Sequence, residues 1–178
     1  MQLPDPPAFD ELIRSSRHSA IHLEMRDVYG IANEAERIAR WRAGFRDDPA
    51  NREAWWRPFH DTIADAVARG VTVRRARVVS EPLSEYIRYA HSGTFKNLLA
   101  GEQVRWLPRA MASDLLLPGN DVWVFDAHTA RFGIFAGDGT LIRNEINRET
   151  TVIRSCIDAF EAVWDRAIPH HEYTAEGL

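Results

Sequence analysis

Three groups of residues have types and spacings that could do chemistry. The first is one carboxylate, Asp126, delivered by Val122-Trp123-Val124-Phe125 after the lead-in Leu115-Leu116-Leu117-Pro118-Gly119-Asn120-Asp121. A carboxylate ending a buried strand can orient a base, bind a ligand cation or pair with an arginine from a neighbouring strand. Asp126 also stands before Ala127-His128-Thr129 between two strand-like runs, a setting that suits the cap of a turn. The second group is Arg74, Arg75 and Arg77 in the β-branched run Val71 to Val79. Strand alternation puts Arg75 and Arg77 on one face with Val73 and Val79, and Arg74 on the other with Val78. Guanidinium groups beside apolar neighbours reach the rim, pair with acids such as Glu24, Asp27, Glu81 or Asp126, or together take an anion or phosphate. The third group follows the strand ends: Glu81, Tyr86, Tyr89 and His91 after the first, Trp106 and Arg109 after the second. Aromatics with an arginine and a glutamate suit a planar or charged ligand and a protein interface equally.

The sets that would make these residues catalytic are missing. His18 and His22 have i,i+4 spacing but fall at a helix-to-strand transition, and His170-His171 lies near the end of the chain. Neither is a metal signature. Cys156 sits on an apolar helical stripe as core filler, and no serine occupies a nucleophile setting. Phosphate-loop and dinucleotide-type glycine patterns are absent. No metal and no cofactor are expected.

The elements that position these residues read as follows. Met1 to Ala8, with three prolines, is an extended arm, and Phe9 to Ile13 starts a short helix. Ile21, Leu23 and Met25 alternate with His22, Glu24 and Arg26, predicting a half-buried strand over Ala20 to Val28. Helices are predicted over Glu34 to Phe45 and Arg52 to Arg69, the latter closed by Gly70. After the arginine strand, Leu83 to Ala100 is helical and Val104 to Leu107 a second strand, an order implying parallel strands. Arg131 to Phe135 and Leu141 to Asn144 form a hairpin about Gly137-Asp138-Gly139. Val152, Ile153, Cys156, Ile157, Phe160, Val163 and Trp164 make the clearest helical stripe, and His170 to Leu178 reads as a polar tail.

A length of 178 residues suits one domain: 1–69 as an N-terminal strand and helices, 70–168 as an α/β core, 169–178 as the tail. A hydrophobic fraction of 45% and a charged fraction of 27% are ordinary for a globular protein. The net charge of −4 gives no global reason to bind nucleic acid or an anionic membrane, and direct nucleic-acid binding is not expected. One cysteine excludes an intrachain disulfide, and no apolar run approaches a membrane span. With no signal peptide at the N-terminus, a cytoplasmic location is expected.

The order of elements from the arginine strand to Phe160-Glu161-Ala162-Val163-Trp164 resembles half of a phospholipase D-like domain. If Asp126 were that superfamily's motif aspartate, the motif lysine and histidine would fall on Asp121 and Gly119. Both are lost, so phosphodiesterase chemistry of that type is not expected. Because such enzymes join two halves, the resemblance implies a homodimer. More closely, His22 to Tyr29, Arg74 to Leu83, Ala100 to Arg109 and Leu117 to Asp121 resemble an uncharacterised actinobacterial family of unknown function. Its members are often encoded beside helix-turn-helix regulators, which implies a regulatory or accessory role.

Together these readings predict an α/β fold with a mixed central sheet flanked by helices and a helical N-terminal elaboration. The expected function is a non-catalytic binding module partnered with a helix-turn-helix regulator. Its crevice is expected to be lined by Arg75, Arg77, Glu81, Tyr86, Trp106, Arg109 and Asp126, holding an anionic group or an acidic partner segment. The alternatives are a small hydrolase or transferase with Asp126 or Glu81 as base, and nucleic-acid binding through Arg74 to Arg77.

Overall fold

The computed structural model describes residues 6–30, 34–176 and 178, so the first five residues of the expected N-terminal arm lie outside the described residues. Among the described residues, seven strands form one mixed sheet in the order β6-β5-β4-β1-β2-β3-β7. These are β1 (Ser19–Glu24), β2 (Thr72–Val79), β3 (Gln103–Pro108), β4 (Val122–Phe125), β5 (Thr129–Phe135), β6 (Leu141–Asn147) and β7 (Ile168–Pro169). β1, β2 and β3 run parallel, as the helix between β2 and β3 requires, and the remaining pairs are antiparallel. The mixed α/β class expected from the sequence is the one observed.

The helices are α1 (Phe9–Ser15), α2 (Ala35–Arg42), α3 (Arg52–Trp55), α4 (Pro58–Ala68), α5 (Glu85–Gly93), α6 (Phe95–Leu99) and α7 (Thr150–Arg166). The single helix expected over Arg52 to Arg69 is broken in two. Pro58 forces Arg57 into extended backbone (φ −134, ψ 162) and then serves as the first residue of α4. β1 stops at Glu24, four residues short of the expected Val28, because the Met25 N–H leaves the ladder and donates to the Asp121 carboxylate at 2.8 Å.

The polar tail is corrected as well. Ile168 and Pro169 pair with β3, and Tyr173, only 3% exposed, stacks on Trp106 at 5.6 Å between ring centroids. Two aromatic faces meeting in a dry pocket outweigh the polar composition around them.

One face of the sheet is apolar. Ile21, Leu23, Ala76, Val78, Leu107, Val122 and Val124 pack on the predicted stripe of α7, led by Ile153, Cys156, Phe160, Val163 and Trp164. The opposite face carries two apolar clusters. In one, Ala20, Val73, Trp123 and Phe125 meet α1 and α4; in the other, Val79, Val104 and Trp106 meet Leu83, Ile87 and Tyr173. Between the two clusters the strands carry charges.

Candidate functional site

The charged residues between the clusters follow from register. Alternation puts His22 and Glu24 of β1 on the same face as Arg75 and Arg77 of β2. Parallel pairing then sets His22 beside Arg75 and Glu24 beside Arg77. On the other side of β1, His22 stands beside Trp123 of β4, and Trp123 beside Arg131 of β5. A continuous row thus runs Arg131, Trp123, His22, Arg75 across four strands.

The centre of this row is a closed ionic network. Glu24 accepts from Arg75 Nη1 at 2.8 Å through Oε1 and contacts Arg77 Nη1 at 2.7 Å through Oε2. Arg75 Nε donates at 2.7 Å to Glu102, whose other oxygen accepts from Asn97 Nδ2 at 2.6 Å. Burial works against the Glu24 carboxylate, but Arg75 and Arg77 more than offset it and bring its pKa down to about 2. Burial likewise works against the Arg75 cation, and Glu102 and Glu24 reverse that, raising its pKa. Two arginines therefore face two glutamates, and the network is neutral overall. His22 is held neutral chiefly by burial, its ring stacked on Trp123 at 4.1 Å.

Above this face lies a cavity of about 840 Å³, floored by the row and roofed by α2 and the segment after it, the start of α4, and α5 with α6. That volume is typical of a small-molecule site. Among the described residues, eight cationic side chains line it (Arg37, Arg40, Arg46, Arg57, Arg75, Arg77, Lys96 and Arg131) against three acids, Glu24, Glu34 and Asp47. Lys96 pairs with Asp47, and Glu34 accepts from the Tyr86 hydroxyl at 2.9 Å. Burial, with Glu34 next, raises the Tyr86 pKa and keeps its hydroxyl a donor. Arg46 donates to the carbonyls of Trp41 and Phe45, Arg57 to those of Trp56 and Ala54, and Arg40 lies over the Phe45 ring at 4.0 Å.

On the floor of the cavity, Arg131 differs from Arg75 and Arg77. Its Nε is buried without a hydrogen-bond partner, no described carboxylate pairs with it, and burial lowers its pKa. The other buried side-chain atoms lacking a hydrogen bond include four more in the cavity wall: His22 Nδ1, Glu24 Oε2, Trp41 Nε1 and Arg77 Nε. Three of the five are obligate donors: Arg77 Nε, Arg131 Nε and Trp41 Nε1. The wall is thus rich in cations and in spare donors.

Of the crevice residues expected from the sequence, Arg75, Arg77 and Tyr86 line this cavity. The other four are engaged elsewhere. Asp126 is the turn cap: it and Ala127 adopt left-handed backbone (φ 49 and 55) in the β4–β5 hairpin. Its carboxylate accepts the N–H groups of Arg17, His18 and Ser19 at 2.8 to 2.9 Å. Burial would raise its pKa, but these backbone donors prevail and lower it. Glu81 accepts from the Tyr173 hydroxyl at 2.7 Å. Trp106 is wholly buried and donates to His170 Nδ1. Arg109 ties the ends of β1 and β2 together, donating to the carbonyls of Met25 and Val78 and to Ser80 Oγ. The parallel strands do converge at that edge, but α5, the C-terminal segment and Arg109 fill it. Asp121, where the resemblance looked for a lysine, accepts from Tyr29 at 2.5 Å, and burial pushes its pKa to about 6.

Sequence reasoning missed His22, Trp123, Arg131 and the arginines of α2 as site residues. The alternation of His22 and Glu24 was the available signal, because it put both on the polar face of β1. Among the described residues no cluster of histidine, cysteine and carboxylate side chains could hold a metal, and no helix is long and apolar enough to cross a membrane.

Among solved structures the chain is similar to Nuc, a phospholipase D family member from Salmonella typhimurium, at 13% identity and a TM-score of 0.48. That match covers 90% of this chain and 86% of the other. It is similar to NucT from Helicobacter pylori at 13% identity and 0.48, covering 90% and 87%. It is also similar to TrmBL2, an archaeal chromatin protein, at 12% identity and 0.46, covering 89% of this chain and 47% of that one. No curated protein matches the sequence. A family model does match, over residues 7–175, and by it the chain belongs to DUF6879, a domain of unknown function.

Proposed function

We propose that the protein is a non-catalytic binding module that holds an anionic, acceptor-rich ligand in the cavity above Arg131, Trp123 and His22. The observation that carries this reading is Arg131. A half-buried guanidinium without a counter-charge is costly to keep, and a bound anion removes that cost. The roof adds further cations that bond only carbonyls or lie over rings, so an anion would meet positive charge on both sides. Arg75 and Arg77 contribute less, since Glu24 and Glu102 already neutralise them. Their role is to hold the floor rigid beneath the ligand.

The wider setting rests on the sequence stretches that resemble the actinobacterial family. In that setting the module acts in the cytoplasm, and a helix-turn-helix regulator reads whether the cavity is occupied. A catalytic reading through Asp126 or Glu81 has less support, because neither carboxylate lines the cavity and both are occupied by protein donors.

The test is thermal unfolding in the presence of inorganic phosphate, pyrophosphate or citrate at constant ionic strength, with chloride as the control. At least one polyanion is expected to raise Tm in a saturable way, and Arg131→Gln is expected to remove the rise. Equal behaviour in chloride and in all three anions would overturn the proposal.

A further inference from the structure

The two edges of the sheet are finished differently. On the β3 side the sheet ends in β7, two residues long, whose Pro169 has no N–H to offer a further strand. On the other side β6 is seven residues long, and among the described residues it pairs with β5 alone. Ile142 on this edge is 58% exposed and Leu141 44%. A long edge with exposed apolar side chains is a template for another strand.

The order of residues on β6 selects the partner. Arg143 and Glu145 lie two apart on one face, paired with each other at 2.6 Å, with side chains 59% and 49% exposed. Two copies of β6 paired antiparallel about Asn144 set Arg143 of each copy opposite Glu145 of the other. Both cross-strand pairs are then of opposite charge. The two neighbouring registers that keep every side chain on its own face fail this test. Centring on residue 143 sets arginine against arginine, and centring on residue 145 sets glutamate against glutamate. The irregular step in the β5–β6 register leaves Ile142 as the extra residue between Leu141 and Arg143, and the pairing of Arg143 with Glu145 about Asn144 lies on the regular part of the strand.

We propose that the open edge of β6 is the surface on which two copies of this chain join, antiparallel and centred on Asn144, as one sheet running through a two-fold axis. The arrangement is isologous, so it closes at two copies and, among the described residues, leaves no open edge of comparable length. It needs neither the cavity nor its ligand.

Sedimentation equilibrium of the full chain tests this, with circular dichroism confirming that each variant is folded. The wild type is expected at twice the 20.3 kDa chain mass. Glu145→Arg and Arg143→Glu each place like charges opposite one another and are expected to weaken dimerisation by about tenfold or more. The double variant R143E/E145R restores opposite pairing and is expected to dimerise like the wild type. A monomeric wild type, single variants as dimeric as the wild type, or a double variant no better than the singles would each overturn the proposal.

Discussion

Behind the sheet, Ile21, Leu23, Ala76, Val78, Val122 and Val124 meet Phe160 and Val163, and the charges of that face, Arg74 and Arg105, stay beside α7. In front, the alternate residues of β1 and β2 enclose His22, Glu24, Arg75 and Arg77, with Glu102 buried against them. The same strands thus serve two kinds of packing. The rear face is held by area, for which any well-fitting apolar residue serves about as well. The front face is held by specific partners and leaves a cavity above them, so it has more to lose from one substitution. A buried ion network is weak evidence of stabilisation, because removing charges from water costs about what their attraction returns. Its presence in front of an otherwise apolar sheet fits a face organised for a ligand.

The largest effect expected is from Arg75→Ala. It leaves Glu102, whose side chain is fully buried, and Glu24 short of their central cation. A loss of about 3–5 kcal/mol in urea unfolding is expected. Phe160→Ala on the rear face is expected to cost about the same by leaving a cavity, while anion binding is unchanged. If instead it abolished binding, the two faces would not be separable.

Next in size are the two aspartates at the strand ends. Asp121 has a folded pKa of about 6, above its unfolded value, so the folded state binds the extra proton. Its contribution therefore favours folding at pH 4 and is lost as pH rises to 6, by about 2–3 kcal/mol. Stability measured across that window should show the fall in wild type, and Asp121→Asn should flatten it. Asp126 is the opposite case, with a lowered folded pKa. Its stabilisation is present above the unfolded pKa and lost as pH falls through the folded one. Asp126→Asn should cost about 1–3 kcal/mol at neutral pH, by denaturant unfolding, and leave anion binding intact. Lost binding in a folded Asp126→Asn protein would revive the catalytic or ligand-contact reading of this residue.

Smaller still is Arg74→Ala, which breaks a partly exposed pair with Glu161 at 2.6 Å and should cost about 1 kcal/mol or less. Arg131→Gln should leave stability unchanged or raise it, by about 1 kcal/mol or less, because it removes a half-buried cation that no described carboxylate neutralises. It should nevertheless abolish the anion-dependent rise in Tm.

Period alone made most of the fold legible. Alternation along β1 and β2, the stripe of α7 and the glycine hairpin between β5 and β6 are local signals that tertiary contacts left in place, except at the end of β1, where Asp121 takes the Met25 N–H. Pro58 was equally visible, yet the four-residue spacing of Trp55, Phe59 and Ile63 runs straight across it and hides the break. The site was legible only in part. Arg75, Arg77 and Tyr86 fall where strand and helix geometry sends them. Arg131 could not be found that way, because its place depends on the antiparallel pairing of β4 and β5 beside β1. Nor does composition show that Glu102, following Gly101, neutralises Arg75 while Arg131 has no such partner among the described residues.

The central claim is that Arg131 in front of the sheet is available for a ligand, whereas Arg74 behind it is held by Glu161. The arginine Nε–H resonances test it most directly, followed by NMR during titration with pyrophosphate at constant ionic strength. Arg131 lies in the cavity wall, whereas Arg74 makes a two-point bond to Glu161 on the rear face. The account predicts a saturable shift of the Arg131 signal with Arg74 unmoved. Shifts of equal size at both residues, or none at Arg131, would contradict it.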